Sequence, residues 1–290
     1  MTIERPVFFP CGDAILAGVL TEPDRPNGRC VLIPWGGGAF PSSGPNRIRT
    51  RLARTLAERG FYSLRFDYRG VGESEGEYRL PSLVSPYTEE IIAAGNWLTS
   101  QEYGEMIVVA NCFGAWSSLM AAPKIQNLYG IVLVNSPVGR DHHQAKGVQG
   151  SWKWWAKRLR HLNWSQLRNR YRRAAYRKMV IAKASFMVRG AKDHGFAGGI
   201  RALVDRGVPL LLLYGQDDFR ADFILELDRG ITNDLVRAAQ PTRVVMVEER
   251  LEGYASFAAQ DALLVKVPEW LAELSDVNQK ESSHSQQPGH

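Results

Sequence analysis

Short, nearly continuous apolar runs alternate along this chain with stretches in which apolar residues recur every three or four positions. The runs CVLIPW (30–35), FYSLRFD (61–67), MIVVA (106–110), GIVLVNSP (130–137), VPLLLLYG (208–215) and RVVMVEE (243–249) predict buried strands ended by turn residues. Helical spacing places Ile48, Leu52 and Leu56 on one face of RIRTRLARTLAERG, with Gly60 as C-cap. Further helices are predicted at 88–101, 113–122 and 261–274. Strands that are apolar on both faces, alternating with helices, predict a mostly parallel, doubly wound α/β sheet covered on both sides. The segment GDAILAGVLTEP alternates polar and apolar positions instead, which suits an antiparallel edge hairpin.

About seventy residues between NSPV and VPLLLL show no strand pattern. That is too long for one crossover, so 140–200 reads as an inserted helical lid over the sheet edge where ligands bind. Residues 1–139 and 201–275 then form the core domain, and the polar stretch 276–290 is expected to be disordered.

Charge sharpens the picture of the insertion. The 290-residue chain carries a net +6, yet 151–192 alone holds thirteen Lys and Arg and no Asp or Glu, leaving −7 for the rest. Trp152, Trp155, Leu159 and Leu162 follow helical spacing, with cations mostly off that face. A packed lid with a solvated charged face is one reading. The other is an acidic partner: an acyl carrier protein, the phosphates of CoA, an anionic polysaccharide, or an anionic membrane surface contacted peripherally. Nucleic acid would fit the charge, but no recognition motif accompanies it.

Composition is that of a globular protein, and no apolar stretch reaches the roughly 18 residues of a membrane span. The first residues, MTIERPVFFP, lack the apolar core of a secretory signal, so a cytoplasmic location is expected. Cys11, Cys30 and Cys112 are odd in number and far apart, which suggests neither a disulfide framework nor a zinc site; no metal or cofactor is expected.

Candidate chemistry centres on VVANCFGAWSS (108–118), where an apolar run meets a helix at a cysteine between small residues. In a nucleophile elbow a sharp strand-to-helix turn exposes the reactive atom, and small neighbours let the chains approach; here Ala110 and Gly114 hold those places. The helix N-terminus beside Cys112 favours a thiolate. The alternative is an ordinary buried cysteine. After the CVLIPW strand, the glycines of WGGG (35–38) leave a backbone N–H at Gly37 able to face a developing oxyanion, with the Phe113 amide as partner. FDYRGVGESEG (66–76) adds a long loop string of Asp67, Arg69, Gly70, Gly72 and Ser74.

In this order and spacing the three motifs resemble the α/β-hydrolase superfamily across roughly 12–275, in its serine aminopeptidase-like members. LRFDYRGVGESEG, the elbow cysteine and an aromatic, basic lid after LVN-x-P also look similar to the exosortase-associated hydrolases of bacterial exopolysaccharide clusters. The resemblance implies an acid after the seventh strand, at Asp218 with Asp217 second. It also implies a histidine after the eighth, but LEGYASF (251–257) sets Ala255 at that place. Of the other histidines, His142 and His143 lie near the expected sheet edge and His194 in the lid.

Three readings stay open. A thiol needs less help than a hydroxyl, so cysteine and the lost histidine could be linked changes. Another histidine, His142 or His143, could serve as base. Or the fold is kept for binding, cyclisation or elimination without hydrolysis. The expected activity is acyl transfer on a small-molecule ester or thioester in a biosynthetic setting: Cys112 attacks, Gly37 and Phe113 hold the oxyanion, and Asp218 orients a base. Trp35, Trp152, Trp155 and Tyr254 are expected to contact the substrate.

Overall fold

The computed structural model describes residues 2–36, 40–80, 82–137, 195–216, 218, 229–251, 254 and 256–284, the side chains of 229, 230 and 277–284 excepted. Eight strands form one sheet: β1 (Ile3–Cys11), β2 (Ala14–Glu22), β3 (Arg29–Leu32), β4 (Tyr62–Phe66), β5 (Glu105–Asn111), β6 (Leu128–Val134), β7 (Leu210–Gly215) and β8 (Arg243–Val247). Their order is β1-β2-β4-β3-β5-β6-β7-β8. β1 and β2 form the expected antiparallel hairpin, and β2 runs antiparallel to β4. All other neighbours are parallel. The chain goes from β3 outward to β4 and then back past β3 to β5, so the strand order reverses there, and the crevice beyond those strand ends is where such sheets bind ligands.

Alternation along β5 assigns the two faces. Met106, Val108 and Ala110 join one buried cluster with Trp116 and Leu119 of helix α3 (Phe113–Ala121) and with α2 (Thr88–Ser100). Ile107 and Val109 join the other, with Leu52 and Leu56 of α1 (Ile48–Ala57) and Trp270 of the last helix. Trp116 and Trp270 are fully buried on opposite faces. Truncating such a side chain costs about 3–5 kcal/mol, so each tryptophan anchors its helix on its own face of the sheet.

Several expectations need correction. β3 stops at Leu32 rather than running to 35, because Pro34 has no N–H to continue the ladder, although Ile33 still donates to Leu64 at 2.8 Å. Helix α4 (Phe196–Asp205) buries Phe196, Ile200 and Leu203 in the core, so 196–200 belongs to the core domain and not to the inserted lid. A fifth helix, α5 (Arg229–Arg237), lies between β7 and β8 in the chain. The last helix, α6 (Phe257–His284), starts earlier than expected and continues as helix through 276–284, where disorder was expected. The other lid residues, 140–194, lie outside the described residues.

Arg49, in the first turn of α1, ties the strand ends together. Its guanidinium donates to the carbonyls of Ile33 (3.0 Å) and Phe66 (2.8 Å), joining the ends of β3 and β4. Burial pushes its pKa down to about 10, against the opposing influence of Tyr68 and Asp67. The Asp67–Ser74 string is likewise structural. Ser74 donates to the Asp67 carbonyl at 2.7 Å and accepts from the Ala17 amide at 2.8 Å, fastening the loop to β2.

Candidate active site

Cys112 caps the N-terminus of α3 directly after β5, with φ 53° and ψ −121°. A side chain with a Cβ rarely adopts that conformation, and such strain of about 1–3 kcal/mol persists only where the surroundings over-determine it. Here the Cys112 N–H donates to Val134 of β6 at 2.8 Å, while its carbonyl accepts from Trp116 at 3.2 Å, the first bond of the helix. The thiol is exposed, whereas Cys11 and Cys30 are buried. Burial pushes the Cys30 thiol up to about 12. The expectation of an ordinary buried cysteine therefore fits Cys30 and not Cys112.

Two glycines let the chain after β3 close on this turn. A Cβ on Gly36 would lie 3.0 Å from the Cys112 Cβ and 3.7 Å from its Sγ. A Cβ on Gly114 would lie 2.5 Å from the Trp35 carbonyl oxygen. Tyr68 donates its hydroxyl to that same oxygen at 3.0 Å, so the Trp35–Gly36 peptide is clamped between Tyr68 and α3. Because the peptide is planar and trans, fixing its carbonyl also fixes the opposite direction of the Gly36 N–H. An aromatic row supports the clamp: Tyr68 stacks on Tyr87 at 4.3 Å, and Tyr87 meets Phe113 edge-on at 5.7 Å. Phe113 is the first residue of α3, so its N–H precedes the intrahelical ladder, as the oxyanion assignment requires. Gly37, the other expected donor, lies outside the described residues.

Asp218 follows the end of β7 by three residues, half-buried, with its N–H donating to Gly215 at 3.2 Å. It and Cys112 lie beyond the same edge of the sheet, on strands that flank β6. His142, His143, His194, Trp152, Trp155, Asp217 and Ala255 lie outside the described residues. Among the described residues the sole histidine is His284, at the far end of α6.

Trp35 and Tyr254 were expected to touch substrate, and the structure corrects this. They are 4% and 1% exposed, and their rings pack on each other at 5.3 Å. They form the wall beneath the elbow. The Tyr254 hydroxyl donates to Asn111 Oδ1 at 3.1 Å, immediately before Cys112. Asn111 was passed over in the sequence because it sits between two more conspicuous positions. Its signal is parity: it follows Ile107 and Val109 on the β5 face that looks toward α1 and α6, where a polar side chain needs a partner.

Comparison with known proteins bears on this geometry. The family described as serine aminopeptidase, S33 matches residues 46–223, more than half of the chain. The chain belongs to that family. This S33 family member carries cysteine at the turn between β5 and α3. Solved structures agree on the fold. An esterase of Pyrococcus furiosus superposes with TM-score 0.64 at 16% identity, over 93% of this chain and 91% of its own. The esterase domain of a Rhodothermus marinus protein gives 0.56 at 14%, over 92% and 97%. A proline iminopeptidase of Mycobacterium smegmatis gives 0.53 at 15%, over 97% and 100%. At these identities they establish an α/β-hydrolase fold. Two Escherichia coli proteins from the traX-finO intergenic region are 46% identical over 51 residues, so the chain spans 18% of the length of these curated relatives. Among the described residues no helix is long and apolar enough to cross a membrane.

Proposed function

We propose that this S33 family member is an acyl-transfer hydrolase in which Cys112 attacks the carbonyl carbon of an ester or, preferentially, a thioester. The observation that carries the reading is the exposed thiol on a strained strand-to-helix turn, φ 53° and ψ −121°, held by bonds to β6 and α3. In the first step the thiol passes its proton to the base or to solvent, its sulfur bonds to the carbonyl carbon, and the oxygen takes the negative charge, for which the amides of Phe113 and Gly37 are the proposed donors. The bond to the leaving group then breaks. An alkoxide must take up a proton to leave, and near neutrality a thiolate leaves with much less help. A site whose β8 loop carries no histidine therefore suits thioesters better than esters. Water or another nucleophile next attacks the acyl-cysteine, and the thiol is restored.

Asp218 serves to orient a base, for which His142 and His143 are the candidates. The basic segment 151–192 supplies a docking surface for an acidic acyl carrier, the phosphates of CoA or, peripherally, anionic lipid, as expected in a biosynthetic pathway in the cytoplasm.

The test is a panel of acyl-CoA thioesters and p-nitrophenyl esters with wild type and Cys112→Ala. Wild type should form an acyl adduct on the Cys112 peptide by mass spectrometry, and Cys112→Ala should lose at least about a hundredfold in kcat. Turnover that survives Cys112→Ala would support instead a cyclase or lyase working from the shaped pocket. Absence of turnover in both, with ligand still bound, would mark a binding protein on a hydrolase fold.

A further inference from the structure

The loop after β8 holds a second strained residue. Tyr254 has φ 48°, a left-handed value that a bulky side chain adopts only under constraint. The constraint comes from both ends of the residue. Its carbonyl accepts from Asn46 Nδ2 at 3.1 Å and from Gln260 Nε2 at 3.2 Å, the latter inside α6. Its ring lies against Trp35, whose carbonyl Tyr68 and α3 clamp. Its hydroxyl reaches Asn111 Oδ1.

A phenol donates to the carbonyl oxygen of an amide and not to its NH2. The bond holds the Asn111 amide with its oxygen toward the phenol. Asn111 shares a peptide bond with Cys112, so the two left-handed residues are joined through one side chain. The loop that would present a base thus presents a strut, anchored in α6 and in the loop before α1.

We propose that Tyr254 is a positioning residue for Cys112, acting through Asn111: the Tyr254–Asn111 hydrogen bond holds the elbow in its reactive conformation. The proposal rests on the reading of Cys112 as nucleophile. It differs from a packing role because the ring alone fills the space beside Trp35, whereas the hydroxyl alone reaches Asn111.

The experiment compares wild type, Tyr254→Phe, Asn111→Leu and the double variant. Three quantities are read: kcat and KM on the best substrate of the panel above, the rate of Cys112 alkylation by iodoacetamide, and Tm. Tyr254→Phe should lower kcat by about tenfold with KM within about twofold, and slow alkylation in parallel. Asn111→Leu should do the same, and the double variant should be no worse than either single one, because both remove one interaction. Tyr254→Phe with wild-type kcat and alkylation but a lower Tm overturns the proposal, since the hydroxyl then serves folding alone. Additive losses in the double variant also overturn it. Should Tyr254→Phe not fold, Asn111→Leu decides by the same split between kcat and KM. If wild-type Cys112 reacts no faster than free glutathione, the nucleophile reading fails first and takes this proposal with it.

Discussion

At the elbow, Cys112 reaches a left-handed φ of 53° with its thiol in solvent; in the loop after β8, Tyr254 reaches 48° with its side chain fully buried. The first region keeps every structural device that the sequence motif requires. The turn is strained, Gly36 and Gly114 allow the strand and helix to touch, and the first helical amide stands next to the thiol. The second region lies beside the first, with a phenol bonded inward to Asn111. The comparison teaches that the turn at Cys112 and the loop after β8 are separately built parts. The turn is fixed by the sheet and α3, the loop by Asn46, Gln260 and Trp35, and a hydrogen bond from Tyr254 to Asn111 joins them.

The largest expected effect comes from closing the space that the elbow depends on. In Gly114→Ala the new Cβ meets the oxygen, carbon and nitrogen of Trp35 at 2.5, 2.6 and 2.8 Å. All three are backbone atoms, so no rotamer relieves the clash, and either α3 or the chain after β3 must move. The cost should be about 3 kcal/mol, seen as a lower urea midpoint, with loss of Cys112-dependent turnover by at least about a hundredfold. Near-normal activity in this variant would break the comparison, because the elbow would then be as adaptable as the β8 loop.

The two regions also differed in how far the sequence revealed them. The elbow was legible because its chemistry is local: strand pattern, small residues and helix pattern follow one another within eleven residues. The sheet was legible for the same reason, down to the edge hairpin, since burial on one or both faces writes itself into the period of each strand. The β8 loop showed in the sequence only as Ala255 standing where the resemblance implies a histidine. What Tyr254 does instead depends on Asn46, Asn111 and Gln260, which are 208, 143 and 6 residues away in the chain. No periodicity links such positions. Reading Trp35 and Tyr254 as substrate contacts failed likewise, because an aromatic residue near a glycine loop looks the same in sequence whether its ring faces a ligand or another ring. The polar stretch after 275 misled in the other direction: composition suggested disorder, and α6 carries on to His284.

Tyr68→Phe tests the elbow side of the comparison with a smaller change than Gly114→Ala. It removes the donor to the Trp35 carbonyl and keeps the ring stack on Tyr87. A buried carbonyl that loses its donor costs about 1–2 kcal/mol, and the Trp35–Gly36 peptide should loosen, with kcat falling by about tenfold. The pH dependence separates this bond from simple packing. Burial pushes the Tyr68 hydroxyl above the usual tyrosine range, against the opposing Arg49 guanidinium. Below about pH 10 the phenol is protonated in both folded and unfolded chains, and its contribution is full. As pH rises further the unfolded chain ionises first, so the contribution is lost on the way to the raised folded value. The stability gap between wild type and Tyr68→Phe should therefore be constant from pH 7 to about 9 and close above about 10. A gap that persists at the highest pH would assign it to packing.

The smallest effect has the opposite sign. Cys112→Gly removes a Cβ from a φ and ψ pair that glycine adopts without strain. Because the Cys112 thiol is exposed, little packing is lost with it. The gain is opposed by the greater freedom of glycine in the unfolded chain, so the net should be about 1 kcal/mol of stabilisation, or a Tm higher by about 2 °C. Turnover should vanish. Cys112→Ala is the matched variant: it loses the same sulfur, keeps the strained backbone, and should melt with wild type. The difference between the two measures what the fold spends to hold the Cys112 backbone in place. No such pair exists for Tyr254, where glycine would remove a buried ring and both its partners along with the strain. If Cys112→Gly and Cys112→Ala melt together, the turn is unstrained, and the contrast between strain at an exposed side chain and strain around a buried one collapses.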